Sequence, residues 1–341
     1  MPRNRRKLIV GGLLLAGILG LVVFFFLRSF PLKSLVNALQ AVKPLLLLPG
    51  FGLMALFIWF EAVASSRILT ALGSPVSARR CCTYSMLGFC CASITPSSSG
   101  GQPAQIYAMC RDGVPLSLAS LTMLLLAVCY QCSMLVCGLL SYLVLGSLPG
   151  SGGAGKLLLF GAIVNILLTV AMLCLLFCPG GVHRAARGGI SLLRRLRMLK
   201  PDTAAKALSA AEGGIDRYAE GAACVRRNPK LLFQIFGLTT LQCLAAAFVP
   251  CVVCFALGVA GKPLHAAATQ AVLNLSVAAF PLPGAAGAAE GGFLNLFAPI
   301  FGTDLVAPAL VLCRGISFYL FLPMCALGAL ITCRIPAKRF A

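Results

Sequence analysis

The sequence predicts an all-α polytopic membrane protein, with about six full spans and two Gly/Pro-interrupted re-entrant hairpins in an inverted repeat. Three observations carry that expectation. Apolar runs near 20 residues recur along a chain that is 60% hydrophobic and 11% charged, with mean hydropathy +0.96, and runs of that kind cross membranes. The 28 Lys/Arg against 8 Asp/Glu give a net charge of +20. These cations cluster between the apolar runs, so they mark one side of a membrane rather than a nucleic-acid surface. Finally, "ITPSSSGGQP" (Ile94–Pro103) and "FPLPGAAGAAEGGF" (Phe280–Phe293) place prolines and glycines where a span would hold leucines. Unsatisfied backbone groups cost several kcal/mol each in lipid, so such stretches persist only inside protein or against a wet cavity.

The elements follow in order. "PRNRRK" precedes a first span at Leu8–Leu27, which reads as an uncleaved start-transfer anchor. A second span lies at about Leu45–Ser66, followed by the first interrupted region, Cys81–Arg111. A long span at Pro115–Leu145 and a glycine loop lead to a span at Leu157–Cys178. The segment 180–230 is polar and basic. A span at Leu231–Leu257, the second interrupted region at His265–Ile300 and a last span at Leu305–Cys333 complete the chain. This makes a single membrane domain over 1–341, with one half at about 8–148, the other at about 231–333, and a cytoplasmic basic segment, 180–230, between them.

Charge placement orients it. With the N-terminus inside, twenty-two Lys/Arg fall on the cytoplasmic side, and only Arg28, Lys33, Lys43, Lys156 and Lys262 fall outside. The C-terminus is then cytoplasmic too. That bookkeeping requires each interrupted region to enter and leave on one side, the first from the cytoplasm and the second from outside. Two half-helices in each region satisfy it; two full crossings in each, giving eight spans, satisfy it equally. Each region also carries Pro followed four residues later by Gly, Pro96/Gly100 and Pro283/Gly287. Similar units inserted from opposite faces are the mark of inverted repeats, and paired Gly/Pro breaks there point to the substrate site.

Both returning half-helices start near mid-membrane, where exposed N–H groups and the positive end of the helix dipole favour an anion. Ser97, Ser98, Ser99 and Gln102 add side-chain donors at the first tip, and Glu290 falls in the first turn after the second. Ionisable residues inside spans are costly unless paired. Arg314 and Glu290 are expected to pair beneath the anion site, with Glu61 pairing with Arg67 or Arg79 and Asp112 nearer the interface. The 17 cysteines, "CYQC" and "CVVC" included, lie in apolar helical runs away from His183 and His265, so they read as reduced, metal-free thiols behaving as small hydrophobes. The basic segment with "RRLR" reads as a loop on anionic lipids. No catalytic constellation and no nucleotide-binding loop is present in the sequence.

"ITPSSSGGQPAQIYAMCRDGVPLSLAS" and "FPLPGAAGAAEGGFLNLF…VLCRGISFYLF" resemble the two signature regions of the lysylphosphatidylglycerol synthase transmembrane (flippase) family, which includes the multiple peptide resistance factor. The resemblance covers nearly the whole chain. It places the family's proline–glycine turn, glutamate and last-span arginine on Pro283, Gly284, Glu290 and Arg314, and its first motif on Thr95, Pro96, Gly100, Gly101 and Pro103. Ala285 departs from it, since a second glycine often follows the first there. Family members of full length carry a soluble domain that transfers lysine from lysyl-tRNA to phosphatidylglycerol. This chain ends directly after the last span, so the resemblance implies the lipid-translocating half. It implies movement of an anionic or aminoacylated phospholipid such as lysyl-phosphatidylglycerol across a bacterial inner membrane, in the context of antimicrobial peptide resistance. The candidate head-group residues are Thr95–Gln102, Pro283, Gly284, Gly287, Glu290 and Arg314. A phosphatidylglycerol lysyltransferase and an ion-coupled small-solute transporter are the alternatives. Membrane phospholipid, a separate synthase and a second copy are the candidate partners, and neither cofactor nor nucleic acid is expected.

Overall fold

The computed structural model describes residues 42, 44–95, 98–146, 153–177, 220–259, 261–278 and 287–333. The expected first span, most of the basic segment, Pro96, Ser97, Pro281, Pro283 and Gly284 lie outside the described residues. Every regular element among the described residues is helical, which matches the expected class.

A 3-10 turn at Pro44–Leu47 leads into α1 (Leu48–Ala71), 24 residues that are apolar nearly all round. Ser77 caps α2 (Ala78–Ile94), its side chain accepting from the Arg80 N–H. After the turn come α3 (Gly101–Arg111) and α4 (Leu116–Leu145), then α5 (Gly153–Phe177). Asn228 caps α6 (Pro229–Ala247) by accepting from the Leu231 N–H at 3.1 Å. The sequence suggests one continuous span here, but the helix breaks at Phe248 and resumes as α7 (Val249–Ala256). Pro250 lies in its first turn, where a missing N–H is tolerated. Then follow α8 (Pro263–Val277) and α9 (Ala288–Arg314), the latter kinked at Gly302. A π-helical turn at Gly315–Tyr319 joins it to α10 (Phe321–Cys333).

Four stretches among the described residues are long and apolar enough to cross a membrane: Leu45–Ala71, Leu116–Leu145, Pro229–Ala256 and Ala288–Leu330. Four of the expected spans overlap them to within a few residues at their ends, and α5 contributes a shorter apolar stretch, Leu158–Cys174. The 43-residue stretch is about twice what a bilayer core needs. Gly302, at φ 75° and ψ 169°, divides it into a half-length helix and the last span.

The two hairpins explain the packing. α2 and α3 lie against each other, and so do α8 and α9. With 11 residues, α3 rises about 17 Å, roughly half of a ~30 Å hydrocarbon core. Close packing of α2 on α3 depends on glycine, since a Cβ on Gly101 would sit 3.0 Å from both the Ala92 Cβ and the Gly88 carbonyl oxygen. α1 packs along α6 at the centre of the molecule, while α8 lies on α4 and α10 on α2. Each entering half-helix thus rests on the last span of the other half. One apolar core joins Met54 and Ile58 of α1 to α7, α9, the π-turn and α10. A second joins Ile68 and Leu69 of α1 to α2, α3, α4 and α6.

Candidate functional site

The first tip is knitted by one threonine. The Thr95 hydroxyl donates to the Cys91 carbonyl and accepts from the Gly100 N–H, both at 2.8 Å, and the Ser98 N–H returns to the Thr95 carbonyl at 3.2 Å. The Thr95 oxygen therefore closes the turn. Ser98, which holds a positive φ of 56°, stands exposed beside Ser99 and Gln102. Gly100 caps α3 without a side-chain bond, which leaves the first donors of α3 outside any intrahelical ladder. At the base of the same hairpin, Arg80 forms a fork on Asp112: Nε to Oδ2, and Nη2 to Oδ1 at 3.0 Å. The Tyr84 hydroxyl adds a third donor at 2.6 Å. Arg111 approaches the same carboxylate at 3.7 Å. Burial pushes the Asp112 carboxyl up, but the donors and charges of Arg80 and Tyr84, with Arg111, outweigh it and hold it below its ordinary value. Both ends of the hairpin are thus pinned together.

The second tip is built differently. α9 begins at Ala288 with Gly287 at φ 84°, and Glu290 falls in its first turn. The Glu290 carboxylate reaches back to accept the Gly287 N–H, a capping box, so this helix start already carries its own anion. The same carboxylate meets the Arg314 guanidinium, Oε1 to Nη2, at 3.0 Å. The expected pair is therefore present. Both side chains keep about one-sixth of their surface exposed (16% and 17%), and the Arg314 guanidinium lies 5.9 Å from the centre of the Phe318 ring. The π-turn begins directly after Arg314, and the Ser317 hydroxyl within it donates back to the Cys313 carbonyl at 2.7 Å.

The end of α2 lies level with the π-turn that follows Arg314. α2 and α10 run antiparallel: the Cys90 thiol reaches the Leu322 carbonyl and Phe89 packs edge-on against Phe321 at 5.2 Å, while Met86, a turn earlier, lies against Gly328 further along α10. Continuing that register by one turn brings the end of α2 level with Phe318, the ring beside Arg314.

Glu61 requires a correction. It does not pair with Arg67 or Arg79; Arg67 donates instead to Gln234 at 2.9 Å. The Glu61 oxygens accept from Gln105 at 2.8 Å and Gln242 at 2.9 Å. Arg67 lies nearly two turns beyond Glu61 on α1, whereas α3 and α6 bring their amides straight onto it. Sequence reasoning that counted only charges passed over both glutamines, although Gln242 in "LTTLQCLAAA" is itself a polar break in an apolar run. Among the described residues, no three His, Cys, Asp or Glu side chains gather as metal ligands would.

Residues 9–325, nearly the whole chain, match the family model described as "Lysylphosphatidylglycerol synthase TM region". The match takes in both hairpins and the Glu290–Arg314 pair. No curated protein matches the chain.

Proposed function

This chain belongs to the lysylphosphatidylglycerol synthase TM region family, and we infer from that membership a multi-pass membrane protein of lysyl-phosphatidylglycerol-related lipid handling. On that premise we propose that it moves an anionic or aminoacylated phospholipid, such as lysyl-phosphatidylglycerol, between the leaflets of a bacterial inner membrane. The observation that carries the reading is the Glu290–Arg314 pair, set at the depth of the first hairpin tip. A lysylated head group contains both a phosphate and ammonium groups. It can exchange partners with such a pair, phosphate to Arg314 and ammonium to Glu290, without leaving either charge bare in a low-dielectric site. Ser98, Ser99, Gln102 and the start of α3 supply further donors to the phosphate. The crosswise packing of α8 on α4 and α10 on α2 supports two related halves inserted in opposite senses, and the placement of Lys and Arg supports cytoplasmic termini. Each half would rock on the other around the site.

The test is reconstitution of the purified chain in vesicles with labelled lysyl-phosphatidylglycerol, phosphatidylglycerol and lysyl-tRNA. The labelled lipid should change leaflet faster than in empty vesicles, and no lysine should enter phosphatidylglycerol. Lysine incorporation would favour a lysyltransferase, and absence of both activities would reject the lipid reading for this substrate.

A further inference from the structure

We propose that Glu61 is a proton-binding site through which the chain couples its transport step to a proton gradient. The coupling rests on the lipid-moving reading above; the proton site itself does not. Glu61 lies within the apolar stretch Leu45–Ala71, where a fixed carboxylate is expensive. Its two oxygens are held by neutral amides, Gln105 Nε2 at 2.8 Å and Gln242 Nε2 at 2.9 Å, and the buried Ser85 hydroxyl lies near it with no hydrogen-bond partner of its own. Gln105 and Gln242 are 7% and 3% exposed. Three elements thus converge on α1 around a single acid.

A second observation comes from the far end of the same amide. The Gln105 Oε1 atom is buried and has no hydrogen-bond partner, an arrangement that costs free energy and calls for a reason. Half a turn about the terminal side-chain bond would bring Oε1 onto Glu61, where it can accept the O–H of the neutral acid. In the present orientation Nε2 donates to the ionised form. Gln105 can therefore serve both protonation states, though not at the same time. A hard metal cation fits less well, because it needs several oxygen ligands and the groups closest to Glu61 present N–H donors.

The surroundings fit a proton. The titratable groups within the field of Glu61 are Cys82 on α2, Tyr130 on α4 and Cys325 on α10. From α3 and α6 the facing groups are the two neutral amides. The charged Arg80–Asp112 clasp lies at the hairpin base, five residues before Ser85 along α2, or about 7.5 Å. Arg80 keeps 17% of its side chain exposed there, and a proton would arrive from that end. Gln105 sits one turn along α3 from Gly101, so the helix that senses Glu61 also carries the first tip. Protonation at Glu61 can thereby bias the lipid-facing turn through one rigid element.

Infrared difference spectra of the full chain in lipid nanodiscs, stepped through pH, test the site without any lipid transport. The parent should show a carboxylic-acid carbonyl band that grows as pH falls. Glu61→Gln should remove it, and Gln105→Leu should move its midpoint by about one pH unit or more. Absence of a titrating band in the parent, or a band unchanged in Glu61→Gln, overturns the proposal. Vesicles then test the coupling. A proton gradient should change the parent's rate of lipid movement, and the ratio of rates with and without the gradient should fall to one in Glu61→Gln. A ratio that Glu61→Gln leaves intact, or a response to a Na⁺ gradient in its place, also overturns it. Should the parent move no lipid at all, the lipid reading fails while the infrared titration still decides the proton site.

Discussion

The two hairpins carry their ion pairs at opposite ends. In the first, Arg80 and Asp112 meet at the base, with the Asp112 side chain 2% exposed and a tyrosine hydroxyl completing the clasp. In the second, Glu290 and Arg314 meet at the tip, where each keeps about one-sixth of its surface open. The first pair ties the start of α2 to the end of α3, and its carboxylate is packed like a structural element. The second joins the start of α9 to its end across the kink at Gly302, beside a π-turn of the kind found at functional sites. Arg80 and Arg314 are equally open, at 17%, so the contrast lies in the carboxylates: one sealed under three donors holds a fold. One that keeps surface open at the turn can exchange partners.

The sharpest way to break that contrast is to remove one partner from each pair. Arg80→Ala leaves Asp112 buried and uncompensated and should cost about 3–5 kcal/mol, read as a fall in thermal stability of the detergent-solubilised protein. Arg314→Met should cost less, about 1.5–3 kcal/mol, while abolishing lipid movement. The double change Glu290→Gln/Arg314→Met should recover most of that stability but none of the movement. A loss of stability in Arg314→Met as large as that in Arg80→Ala would erase the distinction.

A smaller effect is expected from the turn that presents Glu290. Gly287 has open space around it but sits at φ 84°, so Gly287→Ala should cost about 1–3 kcal/mol through backbone strain alone. It should also slow lipid movement by shifting the capping carboxylate. Stability and movement both unchanged would show that the turn relaxes freely.

The smallest effect is a pH dependence confined to the first hairpin. The folded Asp112 carboxyl is held below its ordinary value, so its contribution is complete above that ordinary value, near pH 4. It is lost as pH falls further, through the folded value. Thermal scans below pH 4 should show the parent losing this increment, and the apolar double variant Arg80→Met/Asp112→Leu should not lose it.

The sequence made the apolar runs, both interruptions and the Glu290–Arg314 pair legible because each depends on local signals. Prolines and glycines mark turns, and a charge inside a span needs an opposite one. The gap between the second interruption and the last span already contained Gly302. What stayed hidden depends on how distant helices are set against each other. Gln105 and Gln242 reach Glu61 only because α3 and α6 both lie along α1 in one register, and Tyr84 reaches Asp112 only because α2 and α3 close up at Gly101. The break at Phe248 was masked by an apolar run that continues unchanged across it, and the π-turn leaves no compositional trace in "GISFY".

The central claim is that the tip pair is the head-group site and the base pair is not. One measurement addresses it directly: lipid movement in vesicles by two apolar double variants, each normalised to its folded fraction. Arg80→Met/Asp112→Leu should move labelled lysyl-phosphatidylglycerol at close to the parent rate. Glu290→Gln/Arg314→Met should fall to the level of empty vesicles. Movement surviving in the second variant, or lost in the first while it remains folded, would contradict the account.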